Sequence, residues 1–178
     1  DAVRAKAKAT WSALLNRFEV QGGTDDERKI FYTGVYHDFL APNLFSDADG
    51  KYIGFDGKVH GVSGRQKAQY ANFSDWDIYR NTVQLQALFE PERASDMDQS
   101  LVNDAEQGGQ LPRWEAANDV TYVMGGDSPA PMIASSYAFG ARNFDAKDAL
   151  KWMVKAATDT KDNKERPYLE DYLKLGYV

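Results

Sequence analysis

Residues 74–109 read SDWDIYRNTVQLQALFEPERASDMDQSLVNDAEQGG, and the periodicity of this stretch decides the fold class. Ser74 precedes two acids, Asp75 and Asp77, the order of an N-cap followed by a first turn that favours negative charge. The spacing predicts a helix from there through Tyr79, Val83, Leu85, Leu88 and Phe89 to Pro91. A second helix over residues 92–106 sets Ala94, Met97, Leu101, Val102 and Ala105 on one side, and Gly108-Gly109 supplies a left-handed stop.

The same period recurs on both sides of this stretch. Val3, Ala7, Trp11, Leu14, Leu15 and Phe18 share one face of a helix within residues 1–18, with Arg4, Lys6, Lys8 and Arg17 on the other. Thr24-Asp25-Asp26-Glu27 has the form of a capping box and opens a helix carrying Ile30, Phe31, Val35, Phe39 and Leu40 that must stop near Pro42. Asp49-Gly50 and Asp56-Gly57 predict a small β excursion, with residues 52–55 and 58–60 as strands around the second pair. Beyond Gly109 we expect a loop over 111–126, a short apolar helix over 130–140, and helices over 146–157 and 167–175, the last with proline in its first turn. The fold class is therefore mainly α, with one β-hairpin near residues 50–62. The 130–140 helix is apolar nearly all round, which suits a layer buried on both sides in a larger helical assembly.

Composition narrows the function. The chain has 178 residues, no cysteine, and a formal net charge of −6, so its field repels a nucleic-acid backbone, and disulfide and thiolate chemistry are excluded. No stretch approaches the roughly 18 apolar residues of a membrane span. The metalloprotease HExxH, dinucleotide GxGxxG, phosphate-loop and GxSxG signatures are all absent.

What remains is carboxylates beside aromatics, the chemistry of sugar recognition: a ring stacks on an indole while a carboxylate accepts hydroxyl protons. Trp76-Asp77-x-x-Arg80 is the best instance, because on one helix Arg80 would orient Asp77 toward a ligand. Its structural alternative is a dipole-stabilised acid beside a core tryptophan. Leu111-Pro112-Arg113-Trp114-Glu115 is a second aromatic–acid pair, read as a loop site or as a tryptophan plugging the core. Gly125-Gly126-Asp127 is either a ligand loop or a helix start capped by Asp127. His37 is either a hydrogen-bonded core group or a ligand contact, and His60 an ordinary strand-end residue. Asn72-Phe73-Ser74 fits a glycosylation sequon and is set aside as a chance match.

Several segments, taken in order, resemble glycoside hydrolase family 92. They are Gly22-Gly23-Thr24, Phe31-Tyr32-Thr33 with Tyr36-His37, Ala41-Pro42-Asn43, and Asp49-Gly50 with Tyr52-x-Gly54-Phe55-Asp56-Gly57. Then follow Trp76-Asp77-x-Tyr79-Arg80, Leu111-Pro112-Arg113-Trp114 and Tyr137-Ala138-Phe139-Gly140-Ala141-Arg142. The resemblance implies a calcium-dependent exo-α-mannosidase that inverts the anomeric centre, built from a β-sandwich and an (α/α)6 helical barrel, and exported to the periplasm or exterior. Residues 1–178 would then be the N-terminal portion of that barrel, and the substrate a mannose-containing glycan with α-1,2 linkage. Trp76 and Asp77 match the family's Trp-Asp, whose acid binds hydroxyls of the departing mannose; Arg80, Trp114, Glu115 and His37 complete the expected sugar-binding set. Two departures stand out. Ser135 replaces an acid in the family's Ala-Asp-Ala-Tyr segment, and the segments carrying the general acid, the base and the calcium ligands do not occur, so they are expected beyond Val178. The alternative is a non-catalytic carbohydrate-binding or scaffold module. A portion of a barrel should also show an exposed apolar patch at its border helices.

Overall fold

The computed structural model describes residues 1–125, 127–161 and 163–178, which form two compact units, Asp1–Ala41 and Pro42–Val178. In the first unit, helices α1 (Ala2–Leu15) and α2 (Asp25–Asp38) pack on each other. The capping box is complete: Glu27 N donates to Thr24 Oγ1 at 3.2 Å and Thr24 N donates to Glu27 Oε2 at 2.7 Å. Leu14, Phe18 and Val35 are buried, Trp11 meets Tyr36 with ring centroids 4.6 Å apart, and the Tyr32 hydroxyl donates to the Phe18 carbonyl at 2.6 Å. Val3 and Ile30, expected on packed faces, stay exposed, because each helix meets only one neighbour in this unit.

The second unit begins with two small antiparallel ladders, β1 (Asn43–Leu44) with β4 (Tyr70–Ala71) and β2 (Lys51–Ile53) with β3 (Val59–Gly61). The second is the predicted hairpin, paired Ile53 to Val59 and Lys51 to Gly61, with Gly57 at φ 72° in its turn. Gly54 is required by a close approach: a Cβ there would lie 2.2 Å from Gln107 Oε1 and 2.7 Å from His60 Cδ2. Gln107 cannot swing aside freely, since its Oε1 accepts from Phe55 N at 3.2 Å and its Nε2 donates to the Tyr52 hydroxyl at 3.0 Å.

The predicted 74–91 helix is two helices, α3 (Asp75–Ile78) and α4 (Thr82–Phe89), broken at Tyr79–Asn81. Asn81 leaves helical dihedrals there (φ −152°, ψ −36°), and Gln84 Nε2 donates to the freed Tyr79 carbonyl at 2.7 Å. Helix α5 (Pro91–Gly108) has proline in its first turn and ends on left-handed Gly109, as the spacing predicts. It packs on α4, on β4, on α6 (Pro129–Phe139) and on α7 (Ala146–Thr158), which in turn contacts α8 (Leu169–Leu175). The core joins Phe73, Ile78, Val83 and Ala87 to Leu101, Val102 and Ala105 of α5 and to Met132, Ile133, Phe144, Ala149 and Trp152.

Two further expectations are corrected. The 111–126 stretch is not all loop, for β5 (Glu115–Ala116) pairs with β6 (Asp119–Val120) across a turn with Ala117 at φ 55°. Pro167 stays outside α8, which starts only after Tyr168 in a left-handed conformation. Helix α6 buries Met132, Ile133 and Ser136 in the core of this chain and leaves Tyr137 and Phe139 exposed on its other side. An apolar groove of about 300 Å³ runs there between α6 and α7, lined by Ile133, Ala134, Tyr137, Phe144, Leu150 and Met153. Among the described residues no helix is long and apolar enough to cross a membrane.

Three stability outcomes follow from this packing. Gly54→Ala should lower the thermal unfolding temperature, since Gln107 must give up its two bonds at about 1 kcal/mol each. Gly34→Ala, within α2 and with open space around its Cβ, should instead raise it, adding about 0.5–1 kcal/mol of helix preference. Leu101→Ala, at a position with no solvent exposure, should cost about 3–5 kcal/mol in urea unfolding.

Candidate functional site

Helix α3 is a single turn of four residues, too short to persist by itself, so its placement depends on the side chains it buries. Asp75 and Ile78 point inward, while Trp76 and Asp77 point out, Trp76 retaining 37% of its surface. Asp77 N donates to the Ser74 carbonyl at 2.8 Å, but the Ser74 hydroxyl makes no capping bond. The turn therefore presents an indole and a carboxylate side by side above a buried layer. Arg80 does not orient the acid: it lies past the end of α3, and its guanidinium sits 5.4 Å from the Tyr79 ring centroid. The helix break at Tyr79 is what removes the expected shared face.

The second aromatic–acid segment lies alongside the first. Glu115 N donates to the Phe73 carbonyl at 3.4 Å and Ala117 N to Asn72 Oδ1 at 2.8 Å, tying the β5–β6 hairpin to the residues that lead into α3. Leu111 and Pro112 are buried, and the half-buried Trp114 gives its carbonyl to Thr121 N at 2.9 Å and Thr121 Oγ1 at 2.7 Å. Glu115 keeps only 1% of its surface, so the direct sugar contact expected of it has no surface to act through. Pairing with β6 turns its side chain inward, toward Asp104 of α5 and Asp75 of α3.

These acids form a layer that sequence reading missed. Burial pushes Asp75 well above the usual carboxylate range, and the charges of Glu165 and Asp104 push it further. Burial likewise raises Asp104 well above that range, against partial relief from Glu115 and from Gln69, whose Nε2 donates to Asp104 Oδ1 at 3.1 Å. Glu115 is raised by burial, then by Asp104 and Asp75. Glu165, raised by burial, is the acid with a cation near it, Arg113 Nε at 3.7 Å. Asp98 of α5, also raised well above its ordinary value by burial, accepts from the Ser136 hydroxyl at 2.7 Å, while its neighbour Ser135 is half-buried.

His37 is exposed in the last turn of α2, which contradicts a hydrogen-bonded core histidine there. Asp127 does not cap α6, whose N-cap is Ser128; it pairs instead with Arg166, and Gly126 of the expected Gly-Gly-Asp loop lies outside the described residues. His60 Nε2 lies 2.8 Å from Asp56 Oδ1, and this hydrogen bond holds the Asp56 carboxyl down to about 2, an ordinary strand-end contact. The calcium implied by the resemblance finds no cradle here: among the described residues no group of three or more acids or histidines is arranged to hold a metal ion.

Comparison with known proteins agrees with the helical fold. The chain is similar to the family 92 α-mannosidase BT3965 from Bacteroides thetaiotaomicron, solved with mannoimidazole, at 26% identity over 95% of this chain and 22% of that one, TM-score 0.86. It is similar to the family 92 inverting mannosidase BT2199 from Bacteroides thetaiotaomicron VPI-5482 at 30% identity over 98% of this chain and 24% of that one, TM-score 0.86. The family 92 glycosyl hydrolase ccman5 matches at 27% identity over 100% of this chain and 23% of that one, TM-score 0.75. The chain thus spans under a quarter of the length of these structures. No curated protein matches it. Residues 1–178 match the glycosyl hydrolase family 92 catalytic domain, and with these helices arranged as in the solved members, the chain belongs to that family as a mainly-α part of its helical barrel.

Proposed function

We propose that the chain is the N-terminal portion of the catalytic barrel of an inverting exo-α-mannosidase acting on α-1,2-linked mannose of glycans, and that Trp76 and Asp77 bind the departing sugar. The observation that carries the reading is the α3 turn, with an exposed indole beside an exposed carboxylate in a chain of this family. An indole face stacks on the apolar face of a pyranose, and a carboxylate accepts charge-assisted bonds from two adjacent hydroxyls. Together they hold the ring while leaving its glycosidic oxygen free.

Trp114 and Arg80 are half-buried and exposed, respectively, and serve in this reading as further sugar contacts; His37 is an exposed contact of the first unit. Inversion requires an acid on the leaving oxygen and a base activating water on the opposite face, carboxyls about 6.5–9.5 Å apart. The acid, the base and the calcium ligands lie outside residues 1–178 in this proposal, and the apolar groove on α6 and α7 is a surface that the rest of the barrel would cover.

The full-length protein, assayed with calcium on α-1,2-linked mannobiose, should release mannose, and a protein that releases none is the alternative sugar-binding module. Asp77→Ala should lower kcat/KM roughly tenfold to over a hundredfold, the loss of charge-assisted bonds of about 1.5–3 kcal/mol. Kinetics equal to the wild type would take Asp77 out of the sugar site.

A further inference from the structure

The acid layer beneath α3 has more carboxyl oxygens than donors. Asp75 Oδ1 and Oδ2, Asp104 Oδ2, and both Oε atoms of Glu115 are buried without a well-formed hydrogen bond from any N–H or O–H. Asp75 and Glu115 keep 0% and 1% of their surface, and Asp104 keeps 3%, so the layer is sealed from bulk solvent. The groups facing the layer are few. Asp104 and its neighbour Asn103 come from α5, Glu115 from β5, Glu165 from the segment before α8, Gln69 from the residue preceding β4, and the Tyr52 phenol from β2. Arg113 stands on the Glu165 flank, and the Phe73 amide lies near Glu115. No cation faces Asp75, Asp104 or Glu115 among these groups.

Three carboxylates buried within reach of one another's charge cannot all be ionised, because each charge would be desolvated and would repel the other two. Asp104 and Glu115 are close enough to hydrogen-bond, and two carboxyls can do so only through a proton held between them. We propose that Asp104 and Glu115 share a proton at neutral pH, with Asp75 held against the pair, and that this carboxyl clamp fixes the α3 turn onto α5 and β5 and so positions Trp76 and Asp77. Asp75, Asp104 and Glu115 are positioning residues on this view, and the link to sugar rests on the reading of Trp76 and Asp77 given above.

The sign of the pH effect follows from proton counts. The unfolded acids lose their protons near pH 4, whereas the folded clamp keeps at least one, so the folded state binds more protons between that pH and the clamp's own titration. Stability is therefore full in acid and falls as pH rises through this window, the unfolding constant growing up to about tenfold per pH unit for each proton retained.

The test is unfolding of the full-length protein by urea between about pH 5 and pH 9, for wild type, Glu115→Gln and Asp104→Asn. Either amide brings its own donor, so each variant should lose about one proton's worth of slope, up to tenfold per pH unit, relative to wild type. Slopes equal to wild type in both variants overturn the clamp. Absence of any protonated-carboxyl infrared band from folded wild type at neutral pH overturns it without a variant. The ratio of the Glu115→Gln KM for a mannoside to the wild-type KM should fall as pH rises, which loss of structure alone would not produce. If the slopes change as expected while Asp77→Ala binds mannoside normally, the clamp stands and the sugar assignment fails.

Discussion

The constraint on which the second unit depends is a helix with almost no free side. Helix α5 buries Ala94, Leu101, Val102 and Ala105, but it also buries Ser95, Asp96, Asp98, Ser100 and Asp104. A buried polar group without a partner costs about 1–3 kcal/mol, so these residues dictate what can lie against the helix. Ser100 Oγ donates to the Asp96 carbonyl at 2.7 Å and accepts from Tyr70 N at 2.9 Å, which sets β4 on the helix. Asp96 Oδ1 accepts from Lys67 N at 3.1 Å, and Asn103 Nδ2 donates to Gln66 and Gln69 at 2.9 Å. Ser95 Oγ donates to the Pro91 carbonyl at 2.7 Å and accepts from Asn143 N at 3.0 Å, locating the turn before α7. The polar side of α5 thus determines register where the apolar side supplies only attraction.

This order of dependence extends to the α3 turn. A four-residue helix has one turn of backbone bonds and no cap from Ser74, so it inherits its position from the Asp75 and Ile78 side chains beneath it. Ile78 joins the apolar core, and Asp75 joins the acids of α5 and β5. The exposed Trp76 and Asp77 are therefore mounted on a layer of buried acids. Hairpin β2–β3 is mounted on the same helix from the other direction, through Gln107 filling the space that Gly54 leaves open.

The helices were legible because period and punctuation agreed. Thr24 and Glu27 form the expected box, Gly109 the expected left-handed stop, and Asp56-Gly57 the expected hairpin turn. The break at Tyr79–Asn81 was not legible, because the apolar positions on either side keep a helical spacing through it. Nor was β5–β6, whose two-residue strands are too short to show alternation and whose turn has Ala117, not glycine, at positive φ. The buried acids left a signal that was available: Asp98 lies four residues after Ala94 and three before Leu101, and Asp104 three after Leu101, on the apolar stripe itself. A carboxylate on such a stripe is either solvated at its edge or neutralised inside, and only packing by β5 and α3 decides which. Glu115 gave no such sign, since its direction depends on a strand pairing the sequence did not reveal.

The chain inverts the usual placement of residues, sealing acids while leaving Tyr137, Phe139, Leu150 and Val154 substantially exposed. The two halves of that inversion have different physical standing. The apolar groove between α6 and α7 is open, and in the reading proposed above the rest of the barrel covers it, this chain spanning under a quarter of the solved structures it is similar to. The acids need no such cover, because Asp75, Asp104 and Glu115 are closed off by α3, α5, β4 and β5 of this chain alone. The burial of the acids is thus complete within residues 42–178, whereas the exposure of the groove is what the barrel of the proposal would change.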